Sequence, residues 1–229
     1  MKVTSFALLL LTTTAAHANL INNGSFETNP AANSFAILPG GDTTSLPGWT
    51  VTGSACGSNC MLILTNTYTE SSNLGTLTFQ PQDGNQSLDL TGSFNSLDGG
   101  ISQTVTTTPG TQYMLTFFLG NMDDRVSAYG SPSALQVLLN GTVAGTFSND
   151  NSTNNQLNWA QESLNFTATA ASTTIDFVNN TVLADNEAGL DNVSLDVASA
   201  SQTPEPSALL LVVMGFGLVI WGRRVLQGA

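Results

Sequence analysis

Short runs in which apolar and polar residues alternate recur between positions 86 and 197, and no helical periodicity lies among them. Strict alternation puts every second side chain on the same face of an extended strand. The runs are residues 86–90, 101–106, 113–119, 135–139, 164–168, 174–178 and 193–197. Turn signals separate them at Asp83-Gly84, Asp98-Gly99-Gly100, Pro109-Gly110, Asn140-Gly141 and Asn149-Asp150-Asn151. This pattern predicts an all-β fold, an antiparallel β-sandwich of the jelly-roll type.

The same alternation predicts which side chains face the interior of the sandwich. The expected inner residues are Leu88, Leu90, Ile101, Val105, Leu115, Phe117, Val137, Leu139, Phe166, Ile175, Phe177, Val193, Leu195 and Val197. Trp49, in Pro47-Gly48-Trp49, is expected to be a core residue as well.

The first 18 residues have the three parts of a secretory signal peptide. Lys2 supplies the positive charge, residues 6–11 form an apolar stretch, and Ala16-His17-Ala18 is a small-residue cleavage site. A buried N-terminal helix is the alternative. Cleavage after Ala18 would remove His17, the only histidine, and with it histidine-based catalysis and metal binding.

Residues 204–229 combine Pro204-Glu205-Pro206, an uncharged apolar run over 207–222, and Arg223-Arg224. Sixteen helical residues are about 24 Å long, slightly short for a bilayer core, although flanking arginines can reach the interface. The run predicts one C-terminal transmembrane helix with the arginines in the cytoplasm, and a buried core helix is the alternative. The predicted domains are therefore a signal peptide (1–18), a β-sandwich (19–198) and a linker with the membrane tail (199–229).

The charge of the region between signal and tail excludes one class of partner. Residues 19–203 contain fifteen of the sixteen acidic residues and one basic residue, Arg125, which gives a net charge of −14. Such a surface repels nucleic acid and favours cations such as calcium. High solubility outside the cell is the simpler explanation.

Cys56 and Cys60 are the only cysteines, and both lie in the part expected to be exported. Their spacing favours a local disulfide in a surface loop. A redox Cys-x-x-Cys site would have one residue fewer between the thiols, and a zinc site would need further ligands.

The order of Pro204, Glu205, Pro206, apolar helix and Arg223-Arg224 resembles the bacterial PEP-CTERM sorting signal. The resemblance implies export and recognition by an exosortase-type enzyme that cuts at the motif. The chain would be anchored in the cell-envelope membrane before processing, and at the cell surface or outside the cell afterwards.

Five further motifs occur in an order that resembles the secreted choice-of-anchor and DUF642-type domains, which are galactose-binding-like jelly rolls. They are residues 19–27, 47–51, 83–90, 100–104 and 190–194. The resemblance implies polysaccharide binding. It also implies a structural calcium held by Glu27 and Asp191, because related modules hold this ion near the matching segments. Solvated acids or turn caps are the alternative for both residues.

Signals for an enzyme are missing from the sequence. No Gly-x-Ser-x-Gly elbow or phosphate-binding glycine loop occurs, so we expect no catalysis. Tyr68, Tyr129 and Trp159 are the candidate aromatic platforms for a sugar. The sequence thus predicts an exported, non-catalytic surface or matrix protein that binds exopolysaccharide, with a secreted polysaccharide hydrolase or lyase as the alternative.

Overall fold

The computed structural model describes residues 19–54, 56–72, 75–94, 98–123, 129–151, 155–181 and 187–198. The predicted signal peptide, the sorting motif and the predicted transmembrane run lie outside the described residues. Within the described ranges, no helix has the length and apolar character needed to cross a membrane.

Strands make up nearly all of the regular structure in the described residues, with one short 3-10 helix at Gly92–Phe94. The strands are β1 (Phe35–Leu38), β2 (Thr50–Thr52), β3 (Met61–Thr65), β4 (Thr69–Ser72), β5 (Gly75–Thr78), β6 (Gln86–Asp89), β7 (Gly100–Thr106), β8 (Gln112–Asn121), β9 (Ser133–Leu139), β10 (Thr142–Asn149), β11 (Asn158–Thr167), β12 (Ser172–Asn179) and β13 (Gly189–Val197).

These strands form two large antiparallel sheets and one hairpin. The six-stranded sheet has the order β1-β3-β6-β13-β8-β11, and the five-stranded sheet has the order β10-β9-β12-β7-β2. Strands β4 and β5 pair with each other as a separate two-stranded sheet. The prediction of an all-β antiparallel fold is therefore confirmed.

The main core lies between the two large sheets. Phe117 of the six-stranded sheet meets Phe177 of the five-stranded sheet, with ring centroids 5.1 Å apart. Trp49 is 2% exposed and packs edge-on against Phe177, as expected of a core residue. Of the predicted inner residues, Leu139, Phe166 and Val197 are only partly buried and pack against the core, and the others are buried.

The turn predicted at Asn140-Gly141 is confirmed, and it forms a β-hairpin. Both residues have positive φ, 52° and 77°, as a type I′ turn requires. The turn joins β9 to β10, which pair in antiparallel register. Strand β10 itself carries little alternation, because its residues 142–144 are all exposed.

Strand β3 is buried on both faces. Met61 and Ile63 face the main core. Leu62 and Leu64 face the other side of the sheet, where a second apolar cluster forms. This outer cluster consists of Leu62, Leu64, Leu77, Phe79, Met122 and Leu157. The first four residues of β3 are all apolar, which is why alternation does not reveal this strand.

The disulfide predicted from the cysteine spacing is confirmed. Cys56 and Cys60 are bonded, with their Cα atoms 4.7 Å apart. Cys60 is fully buried and belongs to the main core, and Cys56 packs against it. The bridge therefore anchors its loop to the core rather than closing a free surface loop.

Candidate functional site

A cleft of about 340 Å³ opens on the outer face of the six-stranded sheet. Its lining residues are Phe35, Ile37, Leu62, Leu64, Tyr68, Glu70, Asp89, Thr91, Gly92, Ser93, Tyr129 and Glu187. The lining combines apolar and aromatic side chains with three carboxylates. Convergent polar groups in an otherwise apolar hollow are typical of a ligand site.

The sheet and its connections bring the three carboxylates together from distant parts of the chain. Asp89 ends β6 and pairs across the sheet with Leu62 of β3. Glu70 lies on β4, and Glu187 lies two residues before β13 begins. Because β13 pairs with β6, Gly189 lies opposite Asp89, which carries Glu187 to the same end of the sheet.

Glu70 is held between two tyrosines. The Tyr129 hydroxyl donates to Oε2 at 2.8 Å, and the Tyr68 hydroxyl donates to Oε1. Both rings pack against Phe79, with centroid distances of 5.1 Å for Tyr68 and 5.6 Å for Tyr129. Phe35, 41% exposed, meets Tyr68 edge-on at 5.6 Å. The aromatic wall of the cleft is thus held in place by packing against Phe79 and by the Glu70 carboxylate, which accepts hydrogen bonds from both tyrosine hydroxyls.

Both tyrosine hydroxyls act as donors. Burial, followed by the hydrogen bond to Glu70, raises the pKa of Tyr68. Burial and then the neighbouring carboxylates Glu187 and Glu70 raise the pKa of Tyr129. Neither phenol ionises near neutral pH, so each keeps the proton that it shares with Glu70.

Asp89 is buried and organises the turn that follows β6. Its Oδ1 accepts hydrogen bonds from the backbone N–H of Thr91 at 2.8 Å and from the Thr91 hydroxyl at 2.5 Å. The 3-10 helix at Gly92–Phe94 begins at the next residue. Asp89 therefore shapes the cleft rim as well as contributing negative charge.

Glu187 is the most deeply buried acid of the cleft, with 2% of its surface exposed. Its backbone carbonyl accepts a hydrogen bond from the Ser133 hydroxyl, but its side-chain Oε1 has no hydrogen-bond partner. Burial first, and then the charges of Asp89 and Glu70, raise the pKa of Glu187 well above its usual range. A buried carboxyl oxygen without a partner is unfavourable unless a ligand completes its hydrogen bonding.

The family model of DUF642, described as a protein of unknown function, matches residues 19–196. The chain belongs to the DUF642 family. No curated protein matches the chain.

Several solved structures are similar to the DUF642 domain at low identity. The tandem CBM22-1-CBM22-2 domain of Paenibacillus barcinonensis Xyn10C is 16% identical, with a TM-score of 0.43 over 85% of this chain and 49% of that one. A CBM4 structure is 16% identical, with a TM-score of 0.35 over 77% and 99%. An arabinose-bound MgGH51 α-L-arabinofuranosidase is 15% identical, with a TM-score of 0.43 over 79% and 26%. This chain thus spans about half of the tandem module and a quarter of the arabinofuranosidase. At TM-scores below 0.5 these similarities carry no conclusion about function.

The predicted sugar platforms have two different positions in the DUF642 domain. Tyr68 and Tyr129 lie together in the cleft. Trp159 lies on the same face of the sheet but does not line the cleft, because its indole covers the paired glycines Gly120 and Gly189. Its Nε1 donates to the backbone carbonyl of Gln80 at 2.9 Å. Trp159 therefore holds the loop after β5 onto the sheet, and its role as a platform stays a prediction.

The predicted calcium ligands, Asp191 and Glu27, accept hydrogen bonds from backbone N–H groups of one loop and do not face an open site. Asp191 Oδ2 accepts from the backbone N–H groups of Gln82 and Asp83, at 2.8 and 2.9 Å, and its Oδ1 accepts from Asn192 at 2.7 Å. Glu27 Oε1 accepts from Asn85 and Gln86, at 2.7 and 2.9 Å. The two carboxylates thus clamp residues 82–86 from both sides.

This arrangement does not fit a calcium ion, because calcium needs six to eight oxygen ligands and N–H groups already occupy most of these carboxylate oxygens. Among the described residues, no group of three or more acidic, histidine or cysteine side chains is placed to hold a metal. The calcium site stays a prediction from the sequence. The sorting residues Pro204, Glu205, Pro206, Arg223 and Arg224 lie outside the described residues.

Sequence reasoning did not single out the three carboxylates of the cleft in the DUF642 domain. Glu70 and Glu187 lie in segments without alternation. Asp89 lies in the alternating run 86–90 and in a motif of the family resemblance, and neither pattern assigns it to a ligand site. The one available signal was Tyr68 two residues before Glu70, which places both on the same side of an extended segment.

Proposed function

We propose that the mature chain is an exported, non-catalytic surface or matrix protein that binds polysaccharide in the cleft on the six-stranded sheet. The observation that carries this proposal is the pairing of a rigid aromatic wall, Tyr68 and Tyr129, with carboxylates that converge on one hollow. Aromatic rings pack against the apolar face of a sugar ring. Carboxylate oxygens accept hydrogen bonds from its hydroxyl groups.

The entrance of the cleft supports a ligand role. Phe35 and Ile37 of the edge strand β1 are 41% and 43% exposed, and both line the cleft. They extend the apolar wall out to solvent, where a polysaccharide would enter. Exposed apolar residues that border a cleft are more informative than single ones scattered over the surface.

Binding in the cleft is tested with Phe35→Ala. The side chain is partly exposed, so its truncation should leave the fold intact. We expect the variant to lose at least about fivefold in affinity for a bound polysaccharide, which is about 1 kcal/mol, in affinity gels or calorimetry. Val143→Ala is the matched control, because Val143 is 51% exposed on the other sheet. Equal binding by both variants and the wild type would remove the cleft as the glycan site.

We further propose that the tail sorts the protein to the cell envelope and that an exosortase-type enzyme processes it there. Support comes from the order Pro204-Glu205-Pro206, apolar run and Arg223-Arg224. We expect mass spectrometry of the exported protein to find an N-terminus near Asn19 and a C-terminus near Pro204. An intact Ala229 on exported protein would argue against cleavage and would leave anchoring by the tail in place.

A secreted glycoside hydrolase is the second candidate, and the carboxylate cluster favours it. Glycosidases pair a carboxyl group of raised pKa, which acts as the acid, with an ionised partner. Glu187 has the raised pKa, and Asp89 and Glu70 share its cleft. New reducing ends from a bound polysaccharide, abolished by Glu187→Gln, would establish the hydrolase. Binding without any turnover is the result that we expect.

A further inference from the structure

The cleft presents hydrogen-bond acceptors, and three of the four hydroxyl groups among its lining residues, all except that of Ser93, already donate to its carboxylates. The hydroxyls of Tyr68 and Tyr129 donate to Glu70. The Thr91 hydroxyl donates to Asp89. Carboxylates accept hydrogen bonds and, when ionised, donate none. The cleft is therefore suited to a ligand group that is rich in donors.

The carboxyl group of Glu187 has incomplete hydrogen bonding within this acceptor-rich cleft. It is almost completely buried, lines the cleft, and leaves Oε1 without a hydrogen-bond partner. The described residues that line the cleft include no lysine, arginine or histidine. A buried carboxyl group beside two further acids is stabilised most by a positively charged donor.

We propose that the cleft recognises an amino sugar with a free amine, as found in a de-N-acetylated glucosamine polymer. This inference rests on the proposed function and names the class of polysaccharide. The ammonium group supplies three N–H donors and one positive charge, which match Glu187 Oε1 and the neighbouring carboxylates.

The aromatic wall is compatible with the same ligand. Phe35, Tyr68 and Tyr129 present rings at the cleft, and ring faces attract ammonium groups. The sugar ring carrying the amine can pack against these rings while its amine faces the acids. A metal ion fits less well, because no group of three acids among the described residues is placed to coordinate one. An ammonium group needs hydrogen bonds and no fixed coordination sphere.

Two oligosaccharides of equal length test the proposal on the exported protein. A hexasaccharide of β-1,4-linked glucosamine carries ammonium groups with three N–H donors each, whereas its fully N-acetylated counterpart carries neutral acetamide groups with one N–H donor and an added acetyl group. By isothermal titration calorimetry we expect the free-amine form to bind about tenfold or more tightly. A hexapeptide of lysine serves as the control for attraction to the acidic surface as a whole.

Two variants test whether the preference for the free amine arises in the cleft. Glu187→Gln keeps the shape of the side chain but cannot ionise to pair with an ammonium group, so it should reduce the preference for the free amine to within about threefold. Asp150→Asn removes one charge from an exposed position outside the cleft and should keep the preference. Melting curves establish that both variants fold, and the comparison of the two sugars on the wild type does not depend on either variant.

Three results would overturn the proposal. Equal binding of the two hexasaccharides, or tighter binding of the N-acetylated one, would reject the amino-sugar preference and leave polysaccharide binding standing. Lysine hexapeptide binding as tightly as the glucosamine hexasaccharide would assign the preference to overall charge. Failure of these sugars and of neutral polysaccharides to bind would remove the proposed function together with this inference.

Discussion

The Tyr129 hydroxyl donates a 2.8 Å hydrogen bond to Oε2 of Glu70, although 59 residues separate the two in the sequence. The bond joins the loop after β8 to the hairpin β4–β5, and both residues line the cleft. Tyr68 occupies the other oxygen of the same carboxylate.

We therefore expect Tyr129→Phe to weaken both the fold and glycan binding. The Glu70 carboxylate loses one partner in a partly buried position, which should cost about 1–2 kcal/mol of unfolding free energy, measured by urea titration. Tyr113→Phe is the matched control. Its hydroxyl also forms a hydrogen bond, to the Thr108 N–H at 2.9 Å, but it lies in the main core. That variant should lose stability and keep its glycan affinity.

Asp191→Asn should be more destabilising than Glu27→Gln. Asp191 is completely buried and accepts three backbone N–H bonds, whereas Glu27 is partly exposed. In Asp191→Asn, an amide nitrogen replaces one carboxylate oxygen, so an N–H donor then faces the backbone N–H donors that the oxygen had accepted. We expect losses of about 2–3 kcal/mol for Asp191→Asn and about 1 kcal/mol for Glu27→Gln, from denaturant titrations.

The same pair of variants tests the calcium site predicted from the sequence. Because backbone N–H groups satisfy these carboxylates, we expect chelator to leave the melting temperature of the wild type unchanged. A calcium ion bound only to the folded state would raise the melting temperature. A fall on chelation in the wild type that both variants lack would therefore support the metal.

Stability should rise as the pH falls from about 8 toward 4. Burial raises the pKa of Asp191 to about 7, against hydrogen bonds from Asp83, Asn192 and Gln82 that lower it, whereas 3.8 is the usual value. Between these two values the folded state binds a proton that the unfolded state does not, so acidification stabilises the fold. The pKa of Glu187 is raised as well, so its protonation also stabilises the folded state as the pH falls.

Asp42 determines the pH below which further acidification destabilises the fold. Burial would raise its pKa, but hydrogen bonds from Ser45 and Thr44 lower it to about 2, from 3.8. Its contribution is complete above pH 3.8 and is lost as the pH falls through 2. Melting temperatures measured from pH 8 to 2 should thus pass through a maximum near pH 4. A steady decline from pH 8 to 5 would contradict the assignment of raised pKa values to Asp191 and Glu187.

Removing the disulfide should lower stability without changing the glycan preference. The bridge closes a short loop between Cys56 and Cys60, for which chain entropy gives about 2 kcal/mol. Denaturant titration of the double variant Cys56→Ser, Cys60→Ser measures this loss. Thiol labelling of unreduced, denatured wild type should detect no free cysteine, and two labelled cysteines would refute the bridge.

Alternation of apolar and polar residues predicted seven of the strands and missed strands whose sequences do not alternate. Strands β6 to β9 and β11 to β13 follow runs of alternating residues, and their bounds differ from the predicted ones by up to six residues. Strand β3 is covered on both faces, and β1 lies at a sheet edge with Phe35 and Ile37 partly exposed. The first four residues of β3 and all four residues of β1 are apolar, so neither strand shows a period of two.

The cleft could be predicted only in part, because its chemistry depends on long-range contacts. Tyr68 and Tyr129 were recognisable as aromatic residues in polar contexts. Glu70 and Glu187 were not, since the burial that makes Glu187 unusual is created by strands distant in sequence. The role of Trp159 in covering Gly120 and Gly189 likewise depends on the register of β8, β11 and β13.

The position of strand β13 determines how the domain would resist a pulling force. Glu187 precedes its first residue, and Leu195 near its last residue binds the N-terminal segment through Leu20 and Asn19. Nine strand residues span about 30 Å. A pull between a glycan in the cleft and the chain beyond Val197 would run along β13, whose hydrogen bonds to β6 and β8 would then be sheared together instead of opening one by one. We expect single-molecule force measurements in this direction to give higher rupture forces than pulling across the sheet.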